Sequence, residues 1–119
     1  PWREDERQRF TVEGPAVHLD PKRALALGMG FHELATNAAK YGALSNATGS
    51  IAVHWALEPD GKSLKLTWRE RGGPAVTAPG RRGFGLRLIE HGLGRELGGA
   101  VRLDFQPEGL ICEWIMKLP

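Results

Sequence analysis

One cysteine, Cys112, is all that a chain of 119 residues offers, so no disulfide can form within it. It lies in the apolar run Leu110-Ile111-Cys112-Glu113-Trp114-Ile115, where a thiol serves as a small core side chain. A lone cysteine fits a reducing, cytoplasmic setting. Long apolar runs are also missing. None approaches the roughly 20 residues that a membrane-spanning helix requires, so the sequence predicts no membrane contact by this domain. Nor is there an excess of one charge: sixteen Lys and Arg stand against fourteen Asp and Glu, a net charge of +2. With no basic stripe interleaved with aromatic residues either, that balance argues against nucleic acid as a partner. Pro1 to Arg9 is dense in charge, unlike the opening of a signal peptide.

What the chain does have is glycine, sixteen residues of it. They gather at Gly72-Gly73, Gly80 to Gly85, Gly92-Gly94 and Gly98-Gly99. Some such glycines mark turns, and others mark places where backbone must approach a ligand closely. Hydrophobic residues make up 41%, enough for a domain of this length to bury a core without staples. Residues 1–8 read as a polar N-terminal segment or linker remnant, and residues 9–119 as one domain.

The patterning predicts the order ββ-α-ββ-loop-α-ββ. Arg9 to Glu13 and Ala16 to Leu19 read as short strands about Gly14-Pro15. Asp20 is the expected N-cap, with Pro21 at the first helical position. A helical pattern then runs to about Leu44. Leu27, Phe31, Leu34, Ala38 and Tyr41 share its core face, and Ala26, Gly30, Glu33, Asn37 and Lys40 form an adjacent strip. Ser50 to Leu57 and Ser63 to Glu70 alternate around Glu58-Pro59-Asp60-Gly61 as a hairpin. Residues 71–83 read as a loop, Phe84 to Leu97 as a second helix, and Ala100 to Gln106 and Leu110 to Leu118 as a last strand pair. The fold class expected is α+β: a two-layer α/β sandwich, its mixed and mostly antiparallel sheet covered by helices on one face.

Three segments carry chemistry. In Glu33-Leu34-Ala35-Thr36-Asn37-Ala38-Ala39-Lys40-Tyr41-Gly42, an acid, an amide and a cation share one helix strip. A neutral amide oxygen suits Mg²⁺ when a nucleotide supplies most of the negative charge, and Lys40 suits phosphate. The same residues also suit a solvated helix flank. In Trp68-Arg69-Glu70-Arg71-Gly72-Gly73-Pro74, a carboxylate at a strand end could accept a hydrogen bond from an exocyclic amine, or simply mark a hairpin edge. In Gly83-Phe84-Gly85-Leu86, a Gly-x-Gly opens a helix, where free N–H groups favour phosphate. It lacks the spacing of the dinucleotide fingerprint and the Gly-Lys-Ser/Thr of a P-loop.

In this order the segments resemble the N, G1 and G2 boxes of the GHKL (Bergerat-fold) ATPases, and within them the HWE sensor histidine kinases. The resemblance rests on His32 to Ser45, on Trp68-x-Glu70 with Gly72-Gly73-Pro74, and on Gly83-Phe84-Gly85-x-x-Leu88-Ile89. It implies the ATP-binding catalytic domain of a histidine kinase, with ATP and Mg²⁺ as cofactors. By the same resemblance Asn37 holds the metal, Lys40 faces phosphates and Tyr41 lies beside the nucleotide. Glu70 stands where an adenine-reading Asp is usual. Gly72 and Gly73 belong to the adenine side, and Gly83, Phe84, Gly85 and Leu86 to the phosphate side. Glu33 matches the general base of the ATPase branches, and in a kinase would orient or deprotonate the incoming histidine.

There are departures. Pro74 replaces the usual second glycine of G1, and the loop at 75–82 is short, with Arg81 and Arg82 as candidate phosphate contacts. His32 lies off the Glu33/Asn37/Lys40 strip and suits structure or docking better than ATP. None of His18, His32, His54 and His91 has the context of a phosphoacceptor. The expected partner is therefore a histidine-bearing dimerisation domain, with a response regulator downstream. The alternatives are a non-catalytic Bergerat-fold module for protein docking and a serine kinase of the anti-sigma type.

Overall fold

The computed structural model describes residues 9–74 and 99–118. Its elements are β1 (Phe10–Glu13), α1 (Pro21–Lys40), β2 (Ser50–Leu57), β3 (Ser63–Arg71), β4 (Ala100–Gln106) and β5 (Gly109–Lys117). The sheet order is β1-β2-β3-β5-β4. β1 runs parallel to β2, and every other neighbour is antiparallel. Two hairpins, β2–β3 and β4–β5, supply two of the three antiparallel pairs, and β3–β5 joins the hairpins. The parallel pair needs a crossover, and α1 is that crossover. The α+β class and the mixed sheet follow directly.

Period-two alternation decides which face is covered. On β3, Leu64, Leu66, Trp68 and Glu70 are buried; on β5, Leu110, Cys112, Trp114 and Met116 are. Ile51 and Val53 complete the floor from β2. Helix α1 lays Ala26, Leu27, Leu34 and Ala38 onto it. Phe31 stacks on both buried indoles, with ring centroids 6.0 Å from Trp68 and 5.2 Å from Trp114. Each large side chain removed from water here contributes about 1.5–3 kcal/mol. The opposite face carries Lys65, Arg69, Arg102 and Glu113, with a Lys65–Glu113 ion pair at 3.0 Å.

Three expectations need correction. Helix α1 stops at Lys40 rather than near Leu44. Tyr41 is its C-cap, at φ −130° and ψ −18°, and Leu44 N–H folds back to donate to the Ala38 carbonyl at 3.0 Å. Leaving the helical path turns Tyr41 off the core face, and it is 48% exposed. Ala16 to Leu19 is not a strand. That segment is held from the side, where Trp55 Nε1 donates to the Pro15 carbonyl at 2.7 Å, while Val17 and Leu19 pack against the core. Asp20 is the N-cap residue but makes no side-chain cap bond; its carboxylate accepts from Arg23 Nη1 at 2.8 Å instead. The loop at 75–82, the second helix at 84–97, and the residues Gly83, Phe84, Gly85, Leu86, Arg81 and Arg82 lie outside the described residues.

Candidate functional site

Strand alternation puts Glu70 on the covered face, two residues beyond Trp68 and opposite Ile51. It is 2% exposed. A carboxylate taken from water at that depth requires hydrogen-bond donors, and two are present. Trp68 Nε1 donates to Oε2 at 3.0 Å. The Ala43 N–H donates to Oε1 at 3.1 Å. The first donor comes from two residues away on the same strand face; the second comes from the loop that follows α1.

That loop, residues 41–49, is tied down at several points. Asn46 Oδ1 accepts from the Thr48 and Gly49 amides at 3.1 and 2.9 Å, closing a tight Asx turn. Thr48 Oγ1 donates to the Gly72 carbonyl at 2.9 Å. Arg9, at the foot of β1, donates from Nε to the Gly49 carbonyl at 2.7 Å and from Nη2 to the carbonyls of Ala43 and Asn46. The glycines after Glu70 serve this contact. Gly72 has φ +73°, a left-handed conformation that glycine adopts without strain. A Cβ at Gly73 would lie 2.7 Å from the Ala43 Cα. The room these glycines leave is thus filled, at least in part, by the protein's own loop.

Asn37 sits one turn before the end of α1 and is 5% exposed. Its Nδ2 donates to the Glu33 carbonyl at 2.9 Å and to Glu33 Oε2 at 3.2 Å. Its Oδ1 makes no hydrogen bond among the described residues, so the amide presents a free oxygen. The Asn37 carbonyl accepts from the Tyr41 and Gly42 amides at 2.8 and 3.1 Å, and the next amide, Ala43, is the one that binds Glu70. Asn37 and Glu70 are therefore joined by one short stretch of backbone. Lys40 and Tyr41 are exposed beside it, and Lys40 suits the negative end of the helix. His32 is exposed, and its carbonyl accepts from Thr36 Oγ1 at 2.8 Å.

The donor set fits the expected cofactors in kind. Among the described residues no group of three His, Cys, Asp or Glu could cage a metal. Mg²⁺ bound through one neutral oxygen and phosphate oxygens needs no such cage. A buried acceptor beside backbone amides suits a flat heterocycle edged with N–H. The apolar cleft of about 700 Å³ between Val12, Pro15, Leu27, Trp55 and Leu66 contains none of Glu33, Asn37 and Glu70. Sequence reasoning missed Arg9, Asn46 and Thr48 and gave Trp68 no bond to Glu70. The i, i+2 spacing of Trp68 and Glu70 was the available signal; nothing local pointed from Arg9 to a loop some forty residues on.

This arrangement, a crossover helix over a mixed sheet, is the fold of solved histidine kinase catalytic domains. The structure matches the histidine kinase domain of the Erythrobacter litoralis EL346 blue-light activated histidine kinase with a TM-score of 0.74 and 20% identity, over 96% of this chain and 54% of that one. It matches the nucleotide-free catalytic domain of histidine kinase ThkA at a TM-score of 0.65 and 17% identity, over 97% of this chain and 84% of that one. No family model matches the chain. In sequence, the chain is a homologue of the histidine kinases. It is 42% identical over 107 residues to the blue-light-activated histidine kinase of Brucella anthropi, covering 88% of this chain and 22% of that protein. It is 41% identical to that of Brucella ovis over the same length. The chain thus spans about a fifth of the length of these relatives. Among the described residues no helix is long and apolar enough to cross a membrane.

Proposed function

We propose that this chain is the ATP-binding catalytic domain of a sensor histidine kinase of the HWE type. It donates the γ-phosphoryl of ATP to a histidine on a separate dimerisation domain. The carrying observation is Glu70: a buried carboxylate near the end of the central strand, joined by one backbone segment to Asn37, whose side-chain oxygen makes no hydrogen bond among the described residues. In this reading Glu70 accepts from the exocyclic amine of adenine, and Asn37 Oδ1 takes one position on Mg²⁺. Lys40 lies toward the phosphates, and Tyr41 flanks the nucleotide. Gly72 and Gly73 shape the adenine side; Gly83, Phe84, Gly85 and Leu86 receive the phosphates. Glu33 already holds the Asn37 amide by its nitrogen, which leaves the oxygen for the metal. Catalysis of this kind is positioning and charge neutralisation around an in-line transfer.

The dimerisation domain belongs to the remaining length of a protein like the relatives, and the response regulator acts after it. Among the structural matches, ThkA in complex with the response regulator TrrA aligns with a TM-score of 0.64. The setting we assign is cytoplasmic. Titration calorimetry of the chain with ADP and Mg²⁺ tests the reading. Asn37→Ala should weaken Mg–ADP binding at least about tenfold, the equivalent of one charge-assisted contact, with little change in Tm. Metal-free ADP binding should be less affected. Wild-type affinity in both Asn37→Ala and Glu70→Ala rejects the site, and absence of any adenine-nucleotide binding favours a docking module.

A further inference from the structure

The residue before β1 and the first residue of it reach the candidate site by different routes. Arg9 is partly buried, and all of its side-chain bonds go to backbone carbonyls of loop 41–49. Nε donates to Gly49 at 2.7 Å, and Nη2 donates to Ala43 at 2.9 Å and to Asn46. Ala43 and Gly49 are buried, so without the guanidinium their carbonyls must admit water or the loop must change shape. The same loop bonds the Gly72 carbonyl through Asn46 Nδ2 and Thr48 Oγ1. It also caps α1, through the Tyr41 and Gly42 amides on the Asn37 carbonyl. Phe10 lies edge-on to Trp68, with ring centroids 5.8 Å apart, and the Trp68 indole donates to Glu70. β1 itself is lightly held. It is four residues long, pairs with β2 alone, and exposes Thr11, Val12 and Glu13. Short edges of this kind are among the first parts of a fold to open.

Resting on the reading of the site given above, we propose that Arg9 and Phe10 are positioning residues that couple the entry strand β1 to the nucleotide site. When β1 is seated, Arg9 holds loop 41–49 in the shape that caps α1 at Asn37 and meets Gly72 and Gly73. Phe10 braces the indole that donates to Glu70. When β1 leaves the sheet, the loop loses its cation and the indole loses a packing partner, so the site loosens. The coupling is reciprocal, because a ligand that prefers the seated state must stabilise that state by the same factor. Regulation can therefore reach the site through the segment that leads into β1. Neither residue touches the nucleotide; Arg9 acts through the loop and Phe10 through Trp68.

The test joins hydrogen exchange to calorimetry on the 119-residue chain. The Ile51 amide donates to the Arg9 carbonyl at 2.8 Å and so reports whether β1 is seated. Saturating Mg–ADP should slow its exchange about fivefold, the lower end of typical couplings between two sites. The Glu58 amide, at the other end of β2 and bonded to the Ser63 carbonyl, should not follow. In calorimetry, Arg9→Ala should weaken Mg–ADP binding by about the same fivefold. Arg9→Lys should restore part of it, since an ammonium can reach carbonyls but lacks the fork. Thr11→Pro loosens β1 from an exposed position with Arg9 and Phe10 intact, and should act in the same direction. A merely structural role would lower the Tm of Arg9→Ala and leave the ADP affinity of the folded chain unchanged, and that result overturns the proposal. So does equal slowing at Ile51 and Glu58. Should Arg9→Ala fail to fold, the wild-type exchange decides. A wild-type chain that binds Mg–ADP with Ile51 exchange unaltered defeats the coupling alone. One that binds no Mg–ADP defeats the reading of the site and this proposal with it.

Discussion

Two glutamates on adjacent strands have opposite circumstances. Glu70 lies on the covered face of β3, 2% exposed, with two N–H donors aimed at its oxygens. Glu113 lies on the open face of β5, in a row with Thr67 and Arg102, and pairs with Lys65 across water-accessible space. One side chain is placed by the fold and the other decorates it. A carboxylate on a covered face must have its partners built around it, so its surroundings carry information about function. A carboxylate on an open face is satisfied by water and any nearby cation, and its surroundings carry little.

The largest effect should come from removing the placed one. Glu70→Leu strands the Trp68 indole N–H and the Ala43 amide in an apolar environment. Unmet buried donors cost about 1–3 kcal/mol each, so urea denaturation should show a loss of roughly 2–4 kcal/mol, part of the cost being offset by the leucine's own burial. Next in size is Gly73→Ala. Its Cβ would press on the Ala43 Cα at 2.7 Å, a backbone atom held by the same loop. A loss of about 1–3 kcal/mol, as for other overpacked sites, would show that the glycine pair serves the loop. A neutral result would mean that the loop yields easily and that the glycines answer to a ligand.

Glu113→Ala sharpens the comparison from the other side. The pair it breaks has side chains 27% and 46% exposed, and such pairs contribute about 0–1 kcal/mol. Its loss should be near that lower bound and shrink further in high salt. A cost matching that of Glu70→Leu would break the contrast between the two faces.

Much of this contrast is legible in the sequence. The alternation through Leu64, Leu66 and Trp68 puts Glu70 in phase with the core, and the Asp60-Gly61 turn fixes the hairpin register. The helical spacing of Leu27, Leu34 and Ala38 finds the face of α1 that meets the sheet. What local pattern could not reach depends on closure between distant segments. The end of α1 is set by the backbone of residues 41–44 folding back on Asn37 and Ala38, so a helical wheel carried on to Tyr41 fails there. The parallel pairing of β1 with β2 rests on four mostly exposed residues, whose sequence names no partner. Arg9 reads as one more charge in a polar N-terminal stretch until the loop at 43–49 is seen to wrap it. The second donor to Glu70 comes from 27 residues away and has no signature at either end.

The smallest predicted effect lies at the start of α1 and depends on pH. The hydrogen bond from Arg23, aided by its charge, holds the Asp20 carboxyl below its ordinary value of 3.8, partly against the desolvation that would raise it. A folded-state value below the unfolded one means that ionised Asp20 favours the fold. That contribution is complete above pH 3.8 and fades as the pH falls through the depressed folded value. Because the Asp20 side chain is partly exposed, solvent screening keeps it slight. Arg23→Ala should therefore lower Tm slightly at neutral pH, and the gap to wild type should close in acid. Titration of the Asp20 carboxyl by NMR should show its midpoint moving up toward 3.8 in the variant. A midpoint that stays where it was would assign the depression to the backbone amides at the helix start rather than to Arg23, and would make Asp20 a cap in function as well as in position.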